Sequence, residues 1–267
     1  MVKRVIFVRH AERLDVVMND WWKIAERPQD SPLSPLGIDQ SIKLGEWFSK
    51  QKWCNKISAF YVSPFARTVQ TAHFMLEAMK NKTIPINIEY GLCEGAPWMS
   101  VVNVCREPWY LKAADLYCLT PSINLSYNPV KIPEFVKGPI YPGRPIETEL
   151  WYDRCAQTTW RLLSSSITTN QNQKENEKEN ENENDSELDT IVIVTHGGCI
   201  GLSLHCLSAL NIPMIGNTGF TSMVWSHEEG KYVVELDDDG KELFVRYDHL
   251  PEDYITGHHP PVQGNLV

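Results

Sequence analysis

Two apolar runs that each end in a histidine constrain the fold more than any other feature of this sequence. Residues 5–8 are followed by Arg9 and His10, and residues 191–195 are followed by His196. Short runs rich in Val and Ile predict strands buried on both faces, which is typical of a parallel sheet covered by helices. Ligands bind outside the carboxyl ends of such strands. We therefore expect both imidazoles at the same edge of one sheet.

Two further segments bring charged side chains to that edge. Residues 59–62 lead into a helical stretch with Arg67 in its first turn, and residues 84–88 lead to Glu94. The planar guanidinium of arginine binds phosphate bidentately, and a carboxylic acid is suited to donate a proton to a leaving group. The four strand ends together predict a phosphate site that includes Arg9, both histidines, Arg67 and Glu94.

The motifs around these residues resemble the histidine phosphatase superfamily. Its Arg-His-Gly triplet corresponds to Arg9-His10-Ala11, its second arginine motif to residues 63–72, and its second histidine motif to Thr195-His196-Gly197. The resemblance implies a phosphoglycerate mutase-like α/β fold: a three-layer α/β/α domain with a mostly parallel central sheet and an inserted cap. Ala11 departs from the family's glycine, and alanine would strain the turn if it required a positive φ.

The continuation Glu12-Arg13-Leu14-Asp15 narrows the resemblance. It is similar to the phosphatase domain of the ubiquitin-associated and SH3-domain-containing phosphatases (suppressors of T-cell receptor signalling) and to ecdysteroid-phosphate phosphatase, and the additional arginine of these relatives corresponds to Arg13. Weaker matches lie at residues 30–37, 90–94 and 127–133. Phosphoglycerate mutases usually carry Gly-Glu-Ser after the histidine, and this sequence does not.

The resemblance implies a metal-independent phosphatase of the histidine acid phosphatase type, with no cofactor. In this mechanism His10 is the nucleophile that forms a phosphohistidine, and Glu94 donates the proton to the leaving group. Three arginines and a protonated histidine bind the phosphate oxygens; these are Arg9, Arg13, Arg67 and His196. No pair of histidines has the spacing of a metal site, and His258-His259 are expected to be exposed.

Residues 95–148 form a long segment rich in aromatics and prolines with little periodicity. A structureless loop of this length is unusual in a compact domain, so we expect a cap of short helices and turns. Trp98 and Trp109 are the candidate pocket residues, and an aromatic wall favours aryl, phosphotyrosine or steroid-type phosphates. Additional basic residues in the pocket would instead favour a phosphomutase or a sugar-bisphosphate phosphatase. A non-catalytic phosphate-binding scaffold is the third alternative, in which Ala11 disables the loop.

Composition and charge set the domain organisation. The 267 residues are 42% hydrophobic, which is enough for the core of one domain spanning residues 1–267. The net charge of −9 is concentrated in residues 174–189, where eight acids and two lysines give −6. We expect residues 170–187 to be a disordered loop between a helix that ends near Ser165 and a strand at Thr190. The acidic balance argues against nucleic acid as a partner.

The remaining patterns predict secondary structure and location. Helices are expected over residues 38–51, 65–79, 150–163 and 199–210, and late, partly antiparallel strands over 221–234 and 243–247. Seven cysteines without a C-x-x-C pair do not predict a disulfide framework. A strand that begins at Arg4 predicts no signal peptide and no preceding adaptor module, and no run is long enough to cross a membrane. We expect a cytoplasmic enzyme and leave a homodimer open.

Overall fold

The computed structural model describes residues 2–81, 83–95, 107–137, 145–147, 149–174, 190–209, 215–235, 245–247 and 249–250. The strands in these ranges are β1 (Arg4–Arg9), β2 (Ile57–Val62), β3 (Ile86–Ile88), β4 (Phe135–Lys137), β5 (Pro145–Glu147), β6 (Thr190–Thr195), β7 (Phe220–Ser226) and β8 (Lys231–Val234). The α-helices are α1 (Leu14–Val17), α2 (Trp21–Ile24), α3 (Pro35–Phe48), α4 (Ala66–Met79), α5 (Ala113–Leu116), α6 (Trp151–Lys174) and α7 (Gly197–Ser208). Short 3₁₀ turns lie at Cys54–Lys56, Tyr90–Leu92 and Tyr117–Leu119.

The main sheet has six strands in the order β3-β2-β6-β1-β7-β8. The four strands β3, β2, β6 and β1 are mutually parallel, whereas β7 and β8 are antiparallel to their neighbours. Arg9 at the end of β1 is in register with Thr195 at the end of β6. His10 and His196 therefore leave two adjacent strands at the same level, and the predicted mostly parallel α/β sheet is confirmed.

Helices cover both faces of the sheet. Successive residues of a strand point to opposite faces, and β1 follows this rule. Ile6 and Val8 belong to one buried cluster with α3 and α4, whereas Val5 and Phe7 belong to a second cluster with α6 and α7. This arrangement is the predicted three-layer α/β/α architecture.

The helix predicted over residues 38–51 begins earlier and ends earlier than expected. Ser34 caps α3, because its Oγ accepts the N–H of Gly37 at 2.9 Å, and Pro35 occupies the first helical position. Gly37 also allows a close approach, since a Cβ at this position would lie 2.2 Å from the carbonyl oxygen of Glu12. The start of α3 is thereby packed against the segment that follows His10.

The helix predicted over residues 150–163 is α6, and its predicted end near Ser165 is wrong. The helix continues to Lys174, which includes the first five residues of the segment expected to be disordered. Ser, Thr and Asn favour caps and turns, which is why this stretch resembles a helix end. Once the packed first turns exist, each further residue adds one hydrogen bond, so weak helix formers can extend the helix. Residues 175–187 of the predicted loop lie outside the described residues.

The other boundaries differ by a few residues. Helix α4 begins at Ala66, and its Phe74, expected to be buried, is half-buried. Helix α7 begins at Gly197 and ends before Ala209, whose φ of 56° is left-handed. The strand predicted over 243–247 is reduced, within the described residues, to a single bridge between Arg246 and Phe220.

The segment between residues 95 and 148 is described over 107–137 and 145–147. It contains α5 and a 3₁₀ turn, as expected, and also the antiparallel pair of β4 and β5, which the sequence did not predict. Part of it extends the main sheet, because Ile86 of β3 donates to Ser122 O at 2.9 Å and Asn124 donates back to Ile86 O at 2.9 Å. This part therefore packs beside the sheet rather than only over its carboxyl edge.

Candidate active site

His10 lies directly after β1 and is 2% exposed. Its Nδ1 is 2.8 Å from the carbonyl oxygen of Ala11, which can only accept, so Nδ1 carries the proton and Nε2 carries the lone pair. Burial lowers the pKa of His10 well below its usual value, and the nearby arginines, first Arg67 and then Arg9 and Arg13, lower it further. His10 is therefore a neutral imidazole whose Nε2 carries the lone pair.

Two arginines, the partly buried Arg9 and the buried Arg67, lie near enough to this imidazole to lower its pKa. Arg67, in the first turn of α4, is 2% exposed, donates to Gln29 O at 3.2 Å and stacks over the Phe65 ring at 4.4 Å. Arg9 donates through Nη1 to Ile215 O. Burial lowers the pKa of Arg9 and lowers that of Arg67 to about 10, so both remain cations at neutral pH. In the described part of the chain, the buried Nε atoms of both arginines have no hydrogen-bond partner, which leaves donors for an anion.

Glu94, whose side chain is 12% exposed, and the buried His196 form a pair that also contacts Arg67. Glu94 Oε2 is 3.2 Å from His196 Nδ1 and 3.8 Å from Arg67 Nη2, and His196 Nε2 is 2.8 Å from Ser63 Oγ. Burial raises the pKa of Glu94 although the three arginines oppose this, and burial followed by Arg67 lowers the pKa of His196 well below its usual value. These directions favour a protonated carboxyl that donates to Nδ1 of a neutral imidazole.

Burial and the neighbouring Arg67 disfavour the protonated state that the sequence led us to expect for His196. The sequence places His196 at a strand end next to arginines, but it does not show how completely that position is buried. Arg67 Nη2, which can only donate, also lies 3.3 Å from His196 Nδ1 and therefore competes with Glu94 for this nitrogen. Nε2–H then donates to the Ser63 hydroxyl.

Arg13 lies at the margin of the cluster. Its guanidinium makes two bonds to Asp15, at 2.9 and 3.0 Å, and its side chain is 36% exposed. It is close enough to lower the pKa of His10 and of Arg67. Its charge is partly neutralised by Asp15, and its side chain is more exposed than that of Arg67.

Ala11 fits its turn without strain. The residues with positive φ other than glycine, among those described, are Lys80, Ala209 and Thr218. Ala11 is fully buried, and its N–H donates to Thr71 Oγ1 at 3.1 Å. The conformation after His10 therefore does not need the family's glycine, and the concern that alanine distorts the loop is removed.

Of the two aromatic residues expected in the pocket, Trp109 lies within the described residues and Trp98 does not. Trp109 is buried, and its carbonyl oxygen is 3.5 Å from Arg27 Nη2. Trp98 lies outside the described residues. Two aromatics that the sequence did not select contact site residues instead: Phe65 meets the His196 ring edge-on at 5.4 Å, and Trp151 packs against Gly95.

Of the additional residues at the candidate active site, some could have been predicted from the sequence and others could not. Ser63 directly follows β2, so the same argument that selected the histidines applies to it. Trp151 is remote in sequence from Gly95, and only the packing of α6 brings them together.

Across the described residues, no three His, Cys, Asp or Glu side chains are grouped to hold a metal ion. No helix in these ranges combines the length and apolar character needed to cross a bilayer.

The structure brings His10 and His196 together with Arg67 and Glu94, and Arg9 is close enough to affect the pKa of His10. Residues 5–100 match the model of the histidine phosphatase superfamily, branch 1. The resemblance seen in the sequence is thereby confirmed. The matched part carries His10, Arg9, Arg13, Arg67 and Glu94, whereas His196 lies beyond it.

Curated relatives support the same assignment. Ubiquitin-associated and SH3 domain-containing protein B of Homo sapiens is 24% identical over 200 residues, which cover 64% of this chain and 29% of that protein. Protein A of the same name, also from Homo sapiens, is 25% identical over 191 residues, covering 61% and 27%. The chain thus spans less than a third of the length of these relatives.

A solved structure has the same fold over nearly the whole chain. The ecdysone phosphate phosphatase of Bombix mori, solved in complex with tungstate, is 16% identical, with a TM-score of 0.59 over 95% of this chain and 99% of that chain. At this identity the likeness shows the phosphoglycerate mutase-like α/β fold alone.

Proposed function

We propose that this protein hydrolyses phosphate monoesters through a phosphohistidine intermediate on His10. The observation that carries the proposal is the convergence, at one sheet edge, of a buried neutral imidazole with the guanidinium groups of Arg9 and of the buried Arg67, and with the carboxyl of Glu94, which is 12% exposed and has a raised pKa. A neutral imidazole is a nucleophile, guanidinium groups stabilise phosphoryl oxygens, and a protonated carboxyl is a general acid.

In the first step, Nε2 of His10 attacks phosphorus in line with the leaving oxygen. The phosphorus–oxygen bond breaks, and Glu94 transfers its proton to the departing oxygen as negative charge develops there. Arg9 and Arg67 stabilise the transferring phosphoryl group through N–H donors that are already in place, so little reorganisation is needed. Arg13 contributes positive charge from the margin of the site. His196 contributes through its contact with Glu94.

In the second step, the ionised Glu94 takes a proton from water as the water oxygen attacks the phosphohistidine. The bond between phosphorus and Nε2 breaks, and its electrons return to the imidazole, so His10 is regenerated as the neutral nucleophile. Inorganic phosphate leaves, and Glu94 is again protonated. The chain's own residues supply every proton donor and acceptor in this cycle.

For the substrate, we propose an ester with an aryl, phosphotyrosine or steroid-type leaving group. Support comes from Trp151, which places an aromatic ring beside Gly95, the residue after Glu94. The leaving group must lie next to Glu94, so an apolar group there would gain contact area. A phosphomutase or sugar-bisphosphate phosphatase remains the alternative activity.

A substrate panel tests this proposal. Purified protein should hydrolyse phenyl phosphate and phosphotyrosine with a KM at least about tenfold below that for glycerol phosphate, because burying an aromatic group is worth roughly 1.5–3 kcal/mol. A preference for a sugar bisphosphate, or transfer of phosphate between sugar hydroxyls, would support the alternative. No turnover of any ester, with vanadate still bound, would indicate a phosphate-binding scaffold.

The pH dependence should reflect the two shifted groups. His10 is neutral above its lowered pKa, and Glu94 is protonated below its raised pKa. The kcat/KM for phenyl phosphate should therefore be greatest at mildly acidic pH, fall as pH rises and Glu94 ionises, and fall on the acid side only below the usual histidine pKa. The profile of Glu94→Gln, measured with the same ester, should lack the alkaline fall that is due to Glu94. An unchanged alkaline fall in this variant would contradict the assigned role.

A further inference from the structure

The turn that leads to Glu94 is held by side chains from other elements. Arg154, in the first turn of α6, is fully buried, and its Nη1 donates to the carbonyl oxygens of Gly91 at 2.6 Å and Cys93 at 3.1 Å. Thr195 Oγ1, at the end of β6, donates to the carbonyl oxygen of Leu92 at 2.8 Å. All three carbonyls of residues 91–93 thus accept a hydrogen bond from a buried side chain outside the turn.

The other face of the same turn is held by a buried carboxylate. Glu89 accepts the N–H of Gly91 at 3.0 Å and also accepts the N–H of Val130 at 2.8 Å and the hydroxyl of Tyr127 at 2.7 Å. Buried polar networks that are fully bonded fix a single backbone path. The turn is therefore fixed through both its N–H groups and its carbonyls.

The first turn of α6 contacts the site a second time through Trp151. A Cβ at Gly95 would lie 2.4 Å from Trp151 Cδ2, and a Cβ at Gly198 would lie 2.4 Å from Trp151 Cη2. The indole therefore lies against the residue after Glu94 and against the start of α7, two residues after His196. Both positions require glycine because any side chain would overlap the ring.

We infer that Arg154 is a positioning residue that fixes Glu94 for proton transfer, an inference that rests on the proposed function. The Cys93 carbonyl to which it donates belongs to the peptide bond that joins Cys93 to Glu94. Loss of this bond frees the backbone at the point where the acid leaves the turn, while His10 and Arg67 lie on other elements and keep their positions. Arg154 thus acts on the reaction through the backbone and through Glu94.

The distinguishing property is the dependence of the rate on the leaving group. A 4-nitrophenoxide leaves readily without a proton, whereas the more basic oxygen of phenyl phosphate requires the general acid. Arg154→Met should lower kcat/KM for phenyl phosphate by at least about tenfold more than for 4-nitrophenyl phosphate, since a displacement of roughly 1 Å reduces catalysis markedly. Arg154→Lys, which keeps a charge and one donor group, should give an intermediate ratio. Glu94→Ala sets the upper limit of the effect.

A matched control is available on the same helix. Arg161 is an exposed arginine whose Nη1 donates to Val130 O at 3.2 Å, and Arg161→Met should change neither rate. Equal losses on both esters in a folded Arg154 variant, or no loss on either, would overturn the inference while leaving the proposed function intact. Failure of both Arg154 variants to fold would also overturn it, because Arg154 would then serve folding. A wild-type protein that hydrolyses neither ester overturns the proposed function itself.

Discussion

His10→Ala should lower kcat for 4-nitrophenyl phosphate by at least about 10⁴-fold, because removal of a nucleophile eliminates the covalent route. The residue is buried and its Nε2 carries the lone pair that attacks phosphorus in the proposed mechanism. The variant should remain folded, since loss of one buried side chain reduces the free energy of unfolding by about 1–3 kcal/mol. Steady-state assays and the thermal midpoint measure the two effects separately.

The control for this variant is His205→Ala. His205 is an exposed histidine on α7, and its loss should leave kcat within about twofold of wild type, since surface changes have small effects. A folded His10→Ala protein that retains turnover within about tenfold of wild type would exclude His10 as the nucleophile.

Arg67→Ala should have the second largest effect. Its buried guanidinium lies 3.3 Å from His196 and 3.8 Å from Glu94, and it is a leading cause of the lowered pKa of His10. Each charge-assisted bond to phosphate is worth about 1.5–3 kcal/mol, and removal of a donor to the transition state lowers kcat by about 10²–10³-fold. We expect this fall in kcat together with weaker vanadate binding, measured as the inhibition constant.

Arg13→Ala provides the internal comparison for Arg67→Ala. Because Arg13 is one-third exposed and paired with Asp15, its loss should lower kcat less than the loss of Arg67. An equal or greater fall in kcat for Arg13→Ala would show that Arg13 reorients towards the phosphate. Wild-type behaviour of Arg67→Ala would contradict the proposed phosphate site.

The sequence was sufficient to predict the sheet edge because strand ends are local features. Residues 5–8 and 191–195 are mostly apolar and β-branched, so they form buried strands. The polar residue after each strand must then lie at the carboxyl edge of the sheet. The pairing of β1 with β6 then follows from the parallel sheet. His10, Arg9, Arg67, Glu94 and His196 converge for this reason.

The sequence was insufficient where a property depends on long-range packing. The protonation of His196 depends on how fully Phe65, Ser63 and Arg67 enclose it, and the sequence does not show enclosure. The contacts of Trp151 with Gly95 depend on how α6 crosses the sheet. The predicted end of α6 near Ser165 was wrong. The Ser, Thr and Asn residues that follow this position resemble a helix end, although the helix continues to Lys174.

The most direct test of the account is the identity of the phosphorylated residue. Glu94→Gln should still be phosphorylated by 4-nitrophenyl phosphate, because this leaving group needs little acid, but should hydrolyse the intermediate slowly because its base is absent. Quenching this variant under alkaline conditions and mapping the added phosphoryl group by mass spectrometry should place it on His10, in a base-stable and acid-labile form. A phosphoryl group on His196, Cys93 or an aspartate would contradict the account.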